Sequence, residues 1–576
     1  MKPDTLVARA LNAARVAHLP TYAALRALIE SSVDSKRVKW ITDVVVSKTT
    51  TRKEWRYYDF PILKELDGDG TAAYRDCTLG SPTTLLAEAH VLHLLSHLDE
   101  FAVPEGVYSY HWPYQERGSR NFQYFYDGYT SRNHKIAELL TKNPRHVAVV
   151  TDIRHFYPSV DWDALQARFA RRLKLANDPS TTSKAMPFLN SLRESSTQGI
   201  PIGPDFGHLL GHVALEDVDA SLHVTFGERY FRYVDDIIVV CSANEADKVA
   251  TAIASTVSES DLKVHKGKDD IVASPTWLSD CPSAKNTDND SPFNALVRDL
   301  TVYLMLKPSS FDSIRKVFAN EGFSIPLERV KANSKYGPFR RFVQYRHLSG
   351  IVDTARLYFW KESDFVVRAA QVRDELSESL EKLVKNPPPT TGMGRRWYIQ
   401  KWRYHLNRLL YLLPRSSHSR LQSYIPEGPE FAEHRILLAA LSSGDATMIA
   451  KLPGRAVAFF CELTSEHLVP EKSHWEALED RAIAESASAM ALYFGWEFGS
   501  DELSGMYQGS RKLLEACSTG VADREQIRPH SYLDEVELLL RATKPKDRER
   551  YVRTRADEDE TIGLEGLRFG ERNDFS

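Results

Sequence analysis

The chain has 576 residues, of which 42% are hydrophobic and 26% charged, with a formal net charge of −4. The length suggests two or three domains, and the balance is that of a soluble globular protein with a large core. The charge excludes a globally basic chain, so a nucleic-acid partner would have to be met by local patches. Five cysteines, Cys77, Cys241, Cys281, Cys461 and Cys517, are too widely spaced for a zinc knuckle. Their odd number reads as reduced thiols in a cytosolic protein. At the N-terminus, arginines interrupt the apolar residues, so no signal-peptide core forms. No stretch approaches the roughly 20 apolar residues of a membrane span.

In chain order, Thr5 to about His18 reads as an amphipathic helix. TDVVVSKTT and EWRYYDF read as strands, and DGDG at 67–70 as a turn. Leu85, Leu86, Ala89, Leu92 and Leu95 have helical spacing. Between 101 and 135 the chain is rich in Tyr, Gly, Arg and Asn, with helical signal only after Asn133. HVAVVTDI is a buried strand, and DWDALQARFARRLKL a helix with Asp161 as its N-cap. A Gly/Pro-led helix covers 199–222, a hairpin 229–240, a helix 246–258 and a strand 262–273. This order predicts an α+β unit on an antiparallel sheet. The polar segment 279–292 marks a boundary. Beyond it nearly everything to about 540 is helical in period, broken by NPPPTTGMG, and resembles an α-solenoid or bundle. From Lys544 the chain is heavily charged and reads as a loosely attached tail.

Four segments carry chemistry. In VVTDIRHFYPSV, Asp152 ends an apolar strand and would place a carboxylate at a sheet edge, suited to a hard cation; a helix cap or turn residue is an equal alternative. Phe156 and Tyr157 follow, where an aromatic floor beneath an incoming sugar would clash with a 2′-hydroxyl. In FRYVDDIIVV, two apolar runs flank Asp235 and Asp236, which predicts a hairpin with both at its turn. Adjacent carboxylates repel, a cost that a divalent metal removes; the alternative is a solvated turn. In GIPIGPDFGHLLGHVALEDVD, Gly199, Pro201, Ile202, Gly203 and Pro204 form a stiff turn ahead of a helix, where backbone can approach a base and a nucleotide closely. His208 and His212 lie four apart there, without the glutamate of a metalloprotease motif, and read as packing or substrate contacts. In LKVHKGKDD, Lys268 is placed to neutralise or protonate a leaving pyrophosphate, or belongs to a solvated face.

In this order the four segments resemble motifs A to D of reverse transcriptases, most specifically at Asp152-Ile-Arg-His-Phe-Tyr157-Pro and Tyr233-Val-Asp-Asp236. The resemblance implies a right-hand polymerase: an α+β fingers–palm, antiparallel sheet with packed helices, followed by an all-α helical-repeat-like C-terminal domain. The divisions are 1–145 (N-terminal helix and fingers), 146–280 (palm), 293–543 (helical, thumb-like) and 544–576 (tail). It implies Asp152, Asp235 and Asp236 as catalytic residues. It also implies two magnesium ions, replaceable by manganese, with Ile153 counted beside the three aspartates as a ligand. Tyr157 would be the gate against ribonucleotides, with Phe156 and the turn Pro201, Ile202, Gly203 also at the nucleotide. AYRDCTLGSP resembles the fingers segment whose arginine meets the triphosphate, which points to Arg75, and Arg132 would face the template.

Ile202 stands where many relatives carry glutamine. That departure and the helical C-terminal half resemble the abortive-infection and other defence-associated reverse transcriptases of bacteria. This implies a cytoplasmic setting, deoxynucleotides as substrate and DNA as product, with synthesis that need not use an external template and can start from a tyrosine hydroxyl. A homo-oligomer, a partner protein, and an RNA template or non-coding RNA are within the implied partners; a membrane is not. MGRRWYIQKWRYHLNRLLYLLPR carries Arg395, Arg396, Lys401, Arg403 and Arg408 largely off an apolar stripe. It reads equally as a grip on single-stranded nucleic acid and as a core helix with a solvated basic face. YGPFRRFVQYRHL, with Arg340 and Arg341, has the same two readings. The alternatives to defence are an RNA-templated enzyme of retron or intron type, or a catalytically idle nucleic-acid binder.

Overall fold

A computed structural model describes the chain except for residues 1–2, 31–38, 40, 47–54, 67–71, 114–119, 197, 266–269, 283–291, 328–329, 331–354, 387–388, 390–391, 445–448, 450–451, 453, 465–480, 496–507, 519–533 and 554–576. Two helices, α1 (Pro3–Ala17) and α2 (Leu19–Glu30), precede a fingers hairpin of β1 (Tyr57–Leu66) and β2 (Ala72–Gly80). Then come α3 (Pro82–Leu95), α4 (Phe125–Lys142), β3 (His146–Asp152), α5 (Trp162–Ala176) and α6 (Pro179–Glu194). The palm continues with α7 (Asp205–Ala214), α8 (Glu216–Phe226), β4 (Tyr230–Tyr233), β5 (Asp236–Ser242), α9 (Ala246–Ser258), β6 (Asp270–Ala273) and α10 (Ser274–Asp280). The helical region contains α11 (Pro292–Leu306), α12 (Phe311–Asn320), α13 (Glu362–Lys385) and α14 (Gly392–Leu412). It ends, after several shorter helices, in α15 (Asp534–Arg541) and α16 (Pro545–Arg553).

The palm sheet has strand order β4-β5-β3-β6, every pair antiparallel. Its central strands β3 and β5 are apolar and buried over most of their length because both faces are covered. Val147, Val149, Ile237, Val239 and Cys241 point into the main core. Their neighbours Ala148, Val150, Ile238 and Val240 point the other way, into a second core. Ile136, Ala137 and Leu140 of α4, Trp277 of α10, and Met393 and Trp397 of α14 close that second core. The rings of Trp277 and Trp397 meet edge to face at 5.1 Å. The helical region thus supplies part of the palm's own interior.

Several local expectations are met. Asp161 Oδ1 accepts the Ala164 N–H at 2.7 Å as the N-cap of α5, and all five cysteines are buried and outside any disulfide. Others are corrected. The described part of TDVVVSKTT, expected as a strand, lies instead in a turn of π-helix, Ile41–Val46. Ile41 and Val45, four residues apart, bury one helical face there, and packing overrides the β-propensity of the valines. Helix α4 begins at Phe125, ahead of Asn133. Among the described residues of the strand expected over 262–273, Asp270–Ala273 form a strand and Val264 an isolated bridge. The start of the expected tail is the docked helix α16, whose Arg548 and Val552 are buried. Arg26 of α2 donates to the Tyr551 carbonyl at 3.0 Å, so the chain's far end packs on its first helices. The expected turn at 67–70 lies outside the described residues. No described helix is long and apolar enough to cross a membrane.

Helix α3 is buried nearly all round, as a helix through a core must be, and it carries Glu88 inside. Glu88 accepts the Phe206 N–H at 2.6 Å, fixing the first turn of α7. Burial, and then the neighbouring Asp205 carboxylate, push its pKa from 4.5 up to about 8. The folded state therefore holds this proton more tightly than the unfolded chain. The associated stability is complete below pH 4.5 and is lost as pH rises to about 8. Glu88→Gln keeps the acceptor and removes the titration. Thermal unfolding should show wild type losing a few degrees relative to this variant between about pH 5 and pH 8; parallel profiles would contradict this.

Candidate active site

The two acidic segments meet at one end of the palm sheet. In the β3–β5 register Asp152 is the direct partner of Asp236. Both lie on the face that carries Val150 and Ile238, because side chains alternate along a strand. Asp152 is 6% exposed, and its carbonyl accepts the His265 N–H at 2.7 Å. The Ile153 N–H donates to the Asp235 carbonyl at 3.1 Å, tying the strand end to the hairpin tip.

The hairpin differs from expectation by one residue. Tyr233 pairs with Asp236, so the two turn residues are Val234 and Asp235, and Asp236 opens β5. Val234 has φ of +54°. A β-branched residue is strained there, by about 1–3 kcal/mol. Main-chain anchors from outside the turn hold it. Val234 N–H donates to Ser109 Oγ at 3.0 Å, and its carbonyl accepts from Arg232 Nη1 at 2.7 Å.

Arg232 is 1% exposed and Asp219 2%. They form a bidentate pair, Nε to Oδ1 and Nη2 to Oδ2, both at 2.6 Å, and Tyr230 adds a hydrogen bond to Oδ1 at 2.6 Å. Burial works against the Arg232 charge, but Asp219 holds its pKa above the ordinary value. Burial and then Arg232 keep His212 well below its usual pKa, so the ring is neutral and its Nδ1 faces Arg232 Nη2 at 3.3 Å. Arg232, Asp219 and Ser109 belong to no motif that marks them as part of the site. The available signal was an arginine inside an otherwise apolar strand, which requires an acidic partner.

Tyr157 lies on a single helical turn, Phe156–Ser159, entered through His155 at φ of +48°. Its hydroxyl meets His208 Nδ1 at 3.0 Å, and Tyr110 stacks on His208 at 3.9 Å. Burial, then Tyr110 and Asp235, push its phenol well up, and its ring packs against the cluster of Tyr129, Tyr233 and Val234 at the hairpin tip. Phe156 is buried beneath, against Gly211 of α7. The Pro201–Gly203 turn is stapled to the fingers: Thr78 N–H donates to the Ile202 carbonyl at 2.7 Å. A Cβ on Gly203, at φ of +124°, would lie 2.3 Å from the Thr78 carbonyl oxygen. Arg75 is half-buried on β2, opposite Ile62.

Other predicted residues fall elsewhere. Arg132, expected at the template, is 1% exposed. Its guanidinium stacks over Tyr129 at 4.9 Å and Tyr233 at 5.4 Å. Arg403, expected on a nucleic-acid face, is 4% exposed and donates to the Glu430 carbonyl at 2.6 Å. In both cases a local partner, aromatic faces or a carbonyl, takes the cation inward. Arg396 instead reaches the palm, with Nη1 3.9 Å from Asp236 Oδ1. The Met393 N–H, donating to Asp270 Oδ2 at 2.7 Å, holds the start of its helix there. Lys268, Arg340 and Arg341 lie outside the described residues.

Among the described residues, no three His, Cys, Asp or Glu side chains converge as a metal cage. Magnesium does not require one: it is held by one or two carboxylates, with water and substrate phosphates completing its octahedron. The all-oxygen pair Asp152 and Asp236, with Asp235 adjacent, fits that demand.

The family model for reverse transcriptase (RNA-dependent DNA polymerase) matches residues 107–291. This stretch is a reverse transcriptase domain. It spans the carboxylate strands, the Tyr157 turn and the α7 helix, and it supports RNA-directed DNA polymerase activity, a nucleotidyl transfer, for this domain. Reverse transcriptase domains use divalent metal ions, in keeping with the donor set. No curated protein matches the chain. Among solved structures, a telomerase from Candida albicans in complex with the TWJ fragment of telomeric RNA is 11% identical with a TM-score of 0.29, covering 69% of this chain and 68% of that one.

Gly203→Ala should push the turn off β2 and lower activity of the reverse transcriptase domain by about tenfold or more, with a fall in melting temperature. Unchanged activity and unfolding would show that the turn accommodates a methyl group.

Proposed function

We propose that the chain is a magnesium-dependent DNA polymerase serving bacterial antiphage defence, which adds deoxynucleotides to a 3′-hydroxyl or a tyrosine hydroxyl without an obligatory external template. The observation that carries the polymerase reading is the facing of Asp152 and Asp236 across β3–β5, with Asp235 at the adjoining turn. Asp152, Asp235, Asp236 and the Ile153 main chain would hold two magnesium ions, which when bound would supply Lewis-acid activation of the hydroxyl and neutralise charge on the triphosphate. Tyr157 forms the floor under the sugar and excludes a 2′-hydroxyl. Arg75 pairs phosphate oxygens through its planar fork. Arg396 presents a cation beside Asp236, where phosphate charge gathers.

The defence reading is supported by Ile202 in place of glutamine and by the helical C-terminal half. An apolar side chain cannot orient a templating base by hydrogen bonding. The second reading, RNA-templated synthesis of retron or intron type, is favoured by the family's description as RNA-dependent.

Purified protein, freed of nucleic acid, is incubated with labelled deoxynucleotides and magnesium, with and without an RNA template and primer. Asp152→Ala and Asp235→Ala should each lower incorporation by about a thousandfold with the fold retained by circular dichroism. Wild-type incorporation without template, with product mobility altered by protease, supports the defence reading. Incorporation confined to added template and primer supports the second. Equal incorporation by Asp235→Ala and wild type would overturn both. Tyr157→Ala should raise use of ribonucleotides relative to deoxynucleotides by about tenfold or more, read from competing labelled substrates; an unchanged ratio removes the gate role.

A further inference from the structure

We infer that Arg232 is a positioning residue for the carboxylate turn, acting as a brace that holds Val234 in a backbone conformation the valine would otherwise leave. This rests on the polymerase reading above. Val234 sits at φ of +54°, a region suited to glycine. Three contacts from three other parts of the chain hold it and its neighbour. The Val234 N–H goes to Ser109 Oγ, the Val234 carbonyl to Arg232 Nη1, and the Asp235 carbonyl to the Ile153 N–H. Ser109 is fully buried, so its hydroxyl is fixed.

Arg232 ties the turn to two helices of the palm. Its Nε and Nη2 are taken by Asp219 on α8, and Nη2 also faces His212 on α7, leaving Nη1 aimed at the Val234 carbonyl. A planar fork alone can meet a carboxylate on one edge and a carbonyl on the other; an ammonium cannot hold both in this geometry. Helix α7 also carries His208, the partner of the Tyr157 hydroxyl. One helix therefore steadies both the carboxylate turn and the aromatic floor. Without the brace, Val234 would relax toward negative φ and swing Asp235 away from Asp152. The fault would lie in a dihedral angle, and glycine at 234 would relieve it.

The test uses the full-length protein and Mn2+ binding measured by electron paramagnetic resonance, a readout independent of turnover. Arg232→Lys keeps the charge opposite Asp219 and loses the fork. It should raise the Mn2+ dissociation constant about tenfold and lower kcat, with KM for deoxynucleotide within about twofold. Val234→Gly in that background should recover most of the lost affinity, while alone in wild type it should give no gain. Ser109→Ala removes a smaller anchor and should shift Mn2+ affinity in the same direction by about threefold. It decides the matter with and without Val234→Gly if Arg232→Lys proves unfolded by circular dichroism. Wild-type Mn2+ affinity in Arg232→Lys, or in Ser109→Ala where that variant decides, would overturn the inference. So would a deficit that glycine at 234 does not relieve. A wild-type protein that binds Mn2+ but incorporates no nucleotide overturns the polymerase reading and leaves the brace tested. One that binds no Mn2+ overturns both.

Discussion

The register between β3 and β5 sets Asp152 opposite Asp236, and the site cannot tolerate an error in it. Side chains alternate with a period of two, so a slip of one residue would send Asp236 to the opposite face and bring Ile237 to the carboxylate side. The slip is resisted because both faces are buried. Shifting β5 would exchange residues between two separate apolar cores, one holding Ile237 and Val239, the other Ile238 and Val240. The placement of two carboxylates is thus enforced by hydrophobic side chains that touch no substrate.

At the hairpin tip, packing gives way to hydrogen bonding. The sheet delivers Asp236, but Asp235 lies beyond the ladder, on a turn whose residue type opposes its conformation. A buried ion pair is an expensive way to hold one carbonyl, since both charges leave water. The Asp219–Arg232 pair nevertheless gives what an apolar contact cannot, a directional grip on a single oxygen atom. The aromatic cluster of Tyr110, His208 and Tyr157 is seated on α7 through His208, and the same helix meets Arg232 through His212, so the floor and the carboxylates share one support.

Much of the palm was legible in the sequence because its strands are apolar runs cut off by charge. HVAVVTD and DDIIVV announce their ends at Asp152 and Asp236, and Asp161 announces its helix. The turn was misplaced by one residue because propensity favours aspartate there over valine, and what forces Val234 is distant Ser109 together with an Arg232 fixed by Asp219. TDVVV failed for a related reason: packing of Ile41 and Val45 on one face outweighed the β-branched composition. Cations were the least legible. Arg132, Arg396 and Arg403 look alike in sequence, yet one stacks inside on tyrosines, one reaches Asp236 and one holds a carbonyl in the helical region. Periodicity marks a face as apolar or polar, but it does not reveal that a buried partner waits for a particular guanidinium.

The seat of Trp397 against Trp277 has a consequence for how the molecule comes into being. The palm is continuous in sequence up to α10, yet one wall of its second core belongs to α14. During synthesis the sheet emerges with that wall missing, its apolar face open until the residues of α14 leave the ribosome. Contacts of such wide sequence separation form slowly, because a long loop must close before they are made. Sheet and helical region are therefore successive stages of one folding unit, and the nascent polymerase is most exposed to aggregation in the interval between them.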